Sequence, residues 1–295
     1  PHLGHAYTTI ACDCLARFMR LDGNEVLFLT GTDEHGQKVE KSALLAGESP
    51  TDFTNRVSQR FRDLTNKLGI SNDDFIRTTE QRHIKASQAL WTALVKSGDI
   101  YLGSYSGWYS VRDEAFFAES ELTNGEDGER IAPSGAPVEW VEEPSYFFRL
   151  SRWERPLLDF YETYPDFIRP ESRRNEVVSF VKSGLQDLSV SRTSFRWGIP
   201  VPGDDNHIMY VWLDALTNYI TAAGYPDPLS EPFQKFWPAN VHVVGKDILR
   251  FHAVYWPAFL MSAGITPPKQ VFAHGWWTVE GQKNVKESSQ CSGTI

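Results

Sequence analysis

Cysteine is close to absent from this chain. Cys12, Cys14 and Cys291 are the full complement. They are too few for a disulfide framework and wrongly spaced for a four-ligand zinc site, and so sparse a supply points to a reducing compartment. Excess positive charge is missing as well: 29 Lys and Arg stand against 38 Asp and Glu, a net charge of −9. That excludes a uniformly basic nucleic-acid surface, so any RNA contact is local or carried by other residues. No apolar run approaches the ~18–20 residues of a membrane span; the longest, Ala253–Ala263, is broken by Pro257. Internal repeats and low-complexity tracts are lacking. No Met precedes Pro1, no strand leads into the first helix, and no signal or transit segment can be read, so the chain reads as a fragment.

What is present is a chain long enough for one large or two ordinary domains, 295 residues with 41% hydrophobic content. It can build a core, and its ten Trp and eighteen Phe suit aromatic-lined pockets as well as packing. The organising stretch is Pro1-His2-Leu3-Gly4-His5, where a helix starts; Ala11, Leu15, Phe18 and Met19 then recur at helical spacing and Gly23 supplies a stop. A helix start offers backbone N–H groups and the positive end of a dipole to phosphate. Gly4 lets a ligand approach the backbone, and two imidazoles there can donate to phosphate oxygens. Two unrelated surface histidines, or half of a metal site, are the competing readings.

Glu25–Thr30 reads as a buried strand, followed by the loop Gly31-Thr32-Asp33-Glu34-His35-Gly36 and a helix over Gln37–Ala46. That is the rhythm of a parallel α/β sheet, whose ligands gather at the carboxyl ends of strands. Asp33 lies at such an end, either facing a ligand or capping the next helix, with Thr32 or Glu34 as alternative caps. Ser49-Pro50-Thr51-Asp52 starts a helix whose stripe is Phe53, Val57, Phe61 and Leu64. Phe75–Thr78 follows as a strand and Glu80–Ser97 as a helix. From Tyr101 the texture shifts to aromatic strand pieces and polar turns, a small α+β insertion over 101–196 between halves at 1–100 and 197–283, with an atypical tail at 284–295. The α/β rhythm resumes with a strand over Ile208–Leu213, a helix to Ala223, the strand Val241–Val244, a helix over Ile248–Ala263 and the strand Gln270–His274.

His2-Leu3-Gly4-His5 resembles the first signature of the class I aminoacyl-tRNA synthetases. Thr30-Gly31-Thr32-Asp33-Glu34-His35-Gly36, Tyr210-Val211-Trp212-Leu213-Asp214-Ala215 and Val244-Gly245-Lys246-Asp247-Ile248 look like the methionyl-tRNA synthetases among them, over nearly the whole chain. The stretch Ser110-Val111-Arg112-Asp113-Glu114 fits the bacterial or organellar branch. The resemblance implies a Rossmann-like parallel core split by an inserted connective domain. It implies activation of methionine by ATP and Mg²⁺ to methionyl-adenylate, then transfer to tRNA(Met), in the cytoplasm or in a mitochondrial or plastid matrix. By the same resemblance His2, Gly4, His5, Gly245, Lys246 and Asp247 serve ATP, and Asp33 pairs with the substrate ammonium. Trp212, Ala215, Tyr219, Ile248, His252 and Trp256 form the methionine pocket; plain core is the competing role for both tryptophans and for His252.

The chain departs from that pattern in three places. The family's leading strand is not in the sequence. Ser110 and Asp113 stand where many members carry a zinc-binding cysteine pair, so no structural zinc is expected. The second signature, a Lys-Met-Ser-Lys-Ser loop after Gly281-Gln282-Lys283, reads Lys283-Asn284-Val285-Lys286-Glu287. Both catalytic lysines, Lys283 and Lys286, keep their places, but Glu287 beside a triphosphate repels it, so poor aminoacylation by these residues alone is expected. Two other functions compete: a catalytically dead fragment that binds methionine or a partner protein, and another His-x-Gly-His nucleotidyl transferase.

Overall fold

The first helix begins where two histidines cap it. In the computed structural model, which describes residues 1–125 and 128–275 and the backbone of 278–279 and 282–283, α1 spans Leu3–Leu21 with His2 as its N-cap. It is followed by β1 (Leu29–Thr32), α2 (Gln37–Leu45), α3 (Pro50–Lys67), β2 (Asp74–Arg77) and α4 (Gln81–Lys96). The antiparallel middle comprises β3 (Ile100–Ser110), β4 (Ala115–Phe117), β5 (Thr123–Asn124), β6 (Arg130–Ile131) and β7 (Glu139–Phe148). Then come α5 (Glu154–Thr163), β8 (Ile168–Arg169), α6 (Glu171–Lys182), β9 (Leu188–Ser189), β10 (Ser191–Arg192), β11 (Pro200–Val201) and β12 (Asp204–Met209). The last part holds α7 (Val211–Ala223), α8 (Glu231–Phe236), β13 (His242–Gly245), α9 (Trp256–Ser262), β14 (Val271–His274) and a hairpin of β15 (Thr278–Val279) and β16 (Gln282–Lys283).

The fold is α/β. β1 and β2 pair in parallel, Leu29 opposite Asp74, and β13, β14 and β8 form a second parallel sheet. Gly31 is what lets β1 and β2 close up, since a Cβ there would lie 2.1 Å from the Ile76 carbonyl oxygen. The middle of the chain builds an antiparallel sheet in the order β4-β3-β7-β9. α5, β8 and α6, which the sequence assigns to the inserted segment, share one core with the last part of the chain: Leu157, Tyr161 and Ile168 are buried with Trp256, Phe259 and Val271. Each fully buried side chain of that size contributes about 2–3 kcal/mol.

Several local expectations need correction. The apolar residues recurring along α1 do not form its buried face: Ala11, Leu15 and Phe18 are exposed and Met19 half-buried, while Asp13 and Ala16 are buried. The helix docks through hydrogen bonds, with Asp13 accepting from the Ser71 amide (2.7 Å) and hydroxyl (2.6 Å). On α3 the buried positions are Thr54, Ser58, Phe61 and Thr65, one step round from the expected stripe. Hydroxyls are tolerated there because Thr54 donates to Pro50 and Thr65 to Arg62 carbonyls. The strand expected over Ile208–Leu213 ends at Met209 and is antiparallel; Tyr210 is the N-cap of α7, so Val211–Leu213 are helical. The helix expected over Ile248–Ala263 is three pieces: a 3₁₀ turn at Lys246–Ile248, a π-helical turn at Phe251–Tyr255, and α9. Pro257 has no N–H for the Ala253 carbonyl, and the Tyr161 hydroxyl donates to that oxygen at 2.6 Å instead.

Candidate functional site

The two signature histidines close the start of α1 by bonding to each other's turn. The His2 Nδ1 accepts from the Gly4 amide and the His5 Nδ1 accepts from the His2 amide, each at 3.1 Å. The rings stack with centroids 3.6 Å apart. A neutral ring that accepts at Nδ1 carries its proton on Nε2, so both imidazoles are set as Nε2 donors.

The carboxyl ends of the parallel strands meet this helix start. Thr8 Oγ1 lies 2.7 Å from Nε2 of His274, the last residue of β14, and β14 pairs Gly245 of β13 with His274. The Gly245-Lys246-Asp247 turn therefore leaves its sheet beside α1. A Cβ on Gly245 would sit 2.7 Å from the Asp247 carboxylate, so any larger residue there would displace that side chain. α3 connects the same helix start to Asp33. His5 packs edge-on against Phe61 with centroids 5.2 Å apart, and Ser58, one turn earlier, lies 3.1 Å from the Thr32 hydroxyl at the end of β1. His5 and the residue before Asp33 thus abut one turn of one helix.

The loop after β1 is held rigidly. Glu34 is buried and accepts from Arg77 twice (2.7 and 2.9 Å), from Thr32 (2.7 Å) and from Thr79 (2.7 Å), so it is an anchor and not a helix cap. Gly36 caps α2 with φ of 107° and no side-chain bond, and Asp33 does not cap it either. A Cβ at Gly36 would lie 2.2 Å from Oε1 of the buried Glu114. Asp33 itself has a buried Oδ1 with no partner among the described residues. Burial first, then the charges of Asp214, Glu114 and Glu34, push its carboxyl well above the usual carboxylate range against a bond from the His35 amide. Burial likewise pushes Glu114 up to about 7, opposed by Lys38 and Arg192.

The aromatic wall is built by α7 and the turn before α9. Trp212 stacks on Phe251 with centroids 3.8 Å apart and planes within 7°; its Nε1 is buried without a partner among the described residues. Tyr219 stacks on His242 (3.9 Å) and donates to Nε2 of His252 at 2.8 Å. The other nitrogen of His252 donates to the Ile248 carbonyl at 2.9 Å. Burial brings His252 down to about 4, so it is a neutral ring of fixed tautomer. Ala215 is buried beside Trp212, Ile248 is half-buried, and Trp256 is fully buried with its indole N–H on His242 at 3.3 Å. Trp256 therefore backs the wall from within the core. Of the expected catalytic lysines, only the backbone of Lys283 is described, and Lys286 lies outside the described residues.

Sequence reasoning missed His35, His83, Glu114, His242 and Phe251. His35 lay within the loop already singled out. His83 sits among charged and polar residues and His242 and Phe251 on more apolar stretches, with nothing local to mark any of them, and Glu114 approaches the Asp33 loop from the far side of the texture break. Among the described residues no three His, Cys, Asp or Glu side chains gather as a metal site. Ser110 Oγ donates to Asp113 at 2.9 Å and accepts from its amide at 3.1 Å, and Ser134 also donates to Asp113.

A family model described as tRNA synthetases class I (M) matches residues 1–291. The methionine–tRNA ligase of Rickettsia bellii (strain RML369-C) is 66% identical over 283 residues, 96% of this chain and 55% of the relative. That of Mesorhizobium japonicum is 63% identical over 286 residues, 97% of this chain and 55% of the relative. A crystal structure of Mycobacterium tuberculosis methionyl-tRNA synthetase bound by methionyl-adenylate superposes with a TM-score of 0.92 at 58% identity, over 94% of this chain and 55% of that one. The chain spans about half the length of the curated relatives it matches.

Proposed function

This chain belongs to the class I methionyl-tRNA synthetases, and on that premise we propose that it supplies the catalytic core of a methionine–tRNA ligase. The reaction is activation of methionine by ATP to methionyl-adenylate, followed by transfer to the 3′ end of tRNA(Met). Residues 1–100 and 197–283 form the two halves of the core, which α5, β8 and α6 of the 101–196 segment join through the β8–β14 pairing and the shared buried cluster, with 284–295 a tail. The long antiparallel pairing of β3 with β7 is the distinctive part of the insert. The bacterial relatives favour the cytoplasm as its compartment. No helix among the described residues is long and apolar enough to cross a membrane.

The observation that carries this reading is the unpartnered, buried Oδ1 of Asp33. A buried carboxylate oxygen without a donor is satisfied by a cation with N–H groups, which is what the ammonium of an amino acid supplies. The apolar, polarizable surfaces of Trp212, Ala215, Tyr219, Ile248 and His252 suit a thioether side chain, whose sulfur is only a weak hydrogen-bond acceptor. His252 contributes as a neutral ring. Magnesium arrives as the ATP complex. His2 and His5, as Nε2 donors at the positive end of α1, hold phosphate oxygens, and the Gly245-Lys246-Asp247 turn holds the ribose. The methionine carboxylate is already ionised at neutral pH, so attack on the α-phosphorus needs no base. What the chain supplies is alignment, and donors where negative charge accumulates. The Ser110, Asp113 and Ser134 hydrogen bonds support a turn closed without zinc. Lys283 and Lys286 would serve the triphosphate from the altered second signature.

Methionine-dependent ATP–pyrophosphate exchange on this chain tests the proposal, beside calorimetric binding of methionine. Binding is expected, and Asp33→Asn abolishes it. Because the Asp33 carboxyl is held up in the empty protein, an arriving ammonium releases its proton. The measured binding heat is therefore expected to vary with the ionisation heat of the buffer, and affinity to rise with pH. Another amino acid bound in preference to methionine, or an Asp33→Asn variant that binds normally, overturns the reading. Glu287 favours a second reading, a fragment that binds methionine without activating it. Binding without exchange, cured by restoring Ser at 285 and 287, is its signature.

A further inference from the structure

One residue, His35, links Asp33 to a second buried carboxylate. Asp214, on α7, is fully buried. Its Oδ2 lies 2.6 Å from Nδ1 of His35 and its Oδ1 2.6 Å from Nε2 of His83. The three groups come from three elements: the loop after β1, α4 and α7. Burial works to raise the Asp214 carboxyl, but the charge and hydrogen bonds of the two histidines bring it down to about 2. It is therefore an ionised acceptor, and each imidazole donates to it. His83 is further fixed by Thr221 Oγ1 at 3.2 Å from its Nδ1, and His35 packs edge-on against Trp197 at 5.4 Å.

The connection to the site is direct at both ends. The His35 amide donates to the Asp33 carboxylate while the His35 ring donates to Asp214. On the other side Asp214 stands on α7 between Trp212 and Tyr219 and next to Ala215. A shift of α7 relative to the loop after β1 would stretch the short bond between His35 and Asp214.

We propose that Asp214 is a positioning residue which, through His35 and His83, fixes the separation between the carboxylate that takes the ammonium and the aromatic wall that takes the side chain of the amino acid. The inference rests on the reading of the site given above. It assigns Asp214 an effect on the amino acid rather than the nucleotide, because its bonds run to the loop that carries Asp33 and to α4, and its own helix carries Trp212, Ala215 and Tyr219.

The experiment is paired calorimetry on the 295-residue chain with methionine and, separately, ATP. Asp214→Asn, which keeps the shape and loses the charge, is expected to weaken methionine about tenfold or more and to leave ATP within about twofold. His83→Asn, which leaves Asp214 its bond to His35, is expected to weaken methionine about threefold. A residue that merely holds the fold together would loosen both ligands alike, so parallel weakening overturns the proposal. So does unchanged methionine affinity in a folded Asp214→Asn protein. If that variant does not fold, His83→Asn decides on the same split; failure of both to fold makes Asp214 a stability element and overturns it too. A wild-type chain that ignores methionine overturns the reading of the site and this inference with it. A wild type that binds, with variants that bind equally well, sinks this inference alone.

Discussion

Replacing Glu114 with Gln should make the protein more stable at neutral and alkaline pH, and by an amount that depends on pH. Glu114 is buried, with Oε1 2.2 Å from where a Cβ on Gly36 would be, and Lys38 donates its amide to the carboxylate. Burial holds its carboxyl at about 7 against an ordinary value of 4.5. Below pH 4.5 the proton is on in both folded and unfolded chains, and Glu and Gln are equivalent there. As pH rises through 7 the unfolded chain ionises freely, while the folded chain must ionise a buried group, so wild-type stability is lost over this window. The difference at pH 8 is about 3 kcal/mol. With an unfolding entropy of about 0.6 kcal/mol per kelvin for a chain of this length, that is a rise of about 5 °C in melting temperature. Gln keeps an acceptor for the Lys38 amide and has no charge to desolvate. Thermal melts of both proteins at pH 4.5, 6, 7 and 8 test this. A stability difference that is flat across pH, or a Gln variant less stable at pH 8, would refute the burial argument.

Arg77→Met leaves the buried Glu34 without the two bonds at 2.7 and 2.9 Å that neutralise it and should destabilise the chain by about 3 kcal/mol, read in urea titration at pH 7. Tyr161→Phe deprives the Ala253 carbonyl, to which Pro257 has no N–H to offer, of its hydroxyl partner. A loss of about 1–3 kcal/mol is expected, and faster amide exchange in residues 251–257 would locate it at the π-helical turn. Tyr219→Phe removes the proton held at Nε2 of His252 and should weaken methionine about fivefold by calorimetry, the equivalent of about 1 kcal/mol; unchanged affinity would place that pair outside the site.

Some of this molecule could be read from local sequence alone. The start of α1, the serine cap of α3, the strands at β2, β13 and β14, and α4 all follow from short-range chemistry: caps, glycine stops and apolar runs whose effects are spent within a turn or a few residues. The signature motifs behave the same way, because a histidine-capped helix start and the Gly245 turn are made by adjacent residues. Tertiary structure decided which faces are buried and which charges meet. α1 hides Asp13 and shows Leu15 and Phe18 because hydrogen bonds to Ser71 outweigh a weak apolar stripe. His83 and Asp214 are 131 positions apart, as invisible to any sequence window as the Tyr161 hydroxyl that donates to the Ala253 carbonyl. A helix cap is set by neighbours in the chain, but a buried charge is set by whatever the fold brings beside it, and that is known only once the chain has closed on itself.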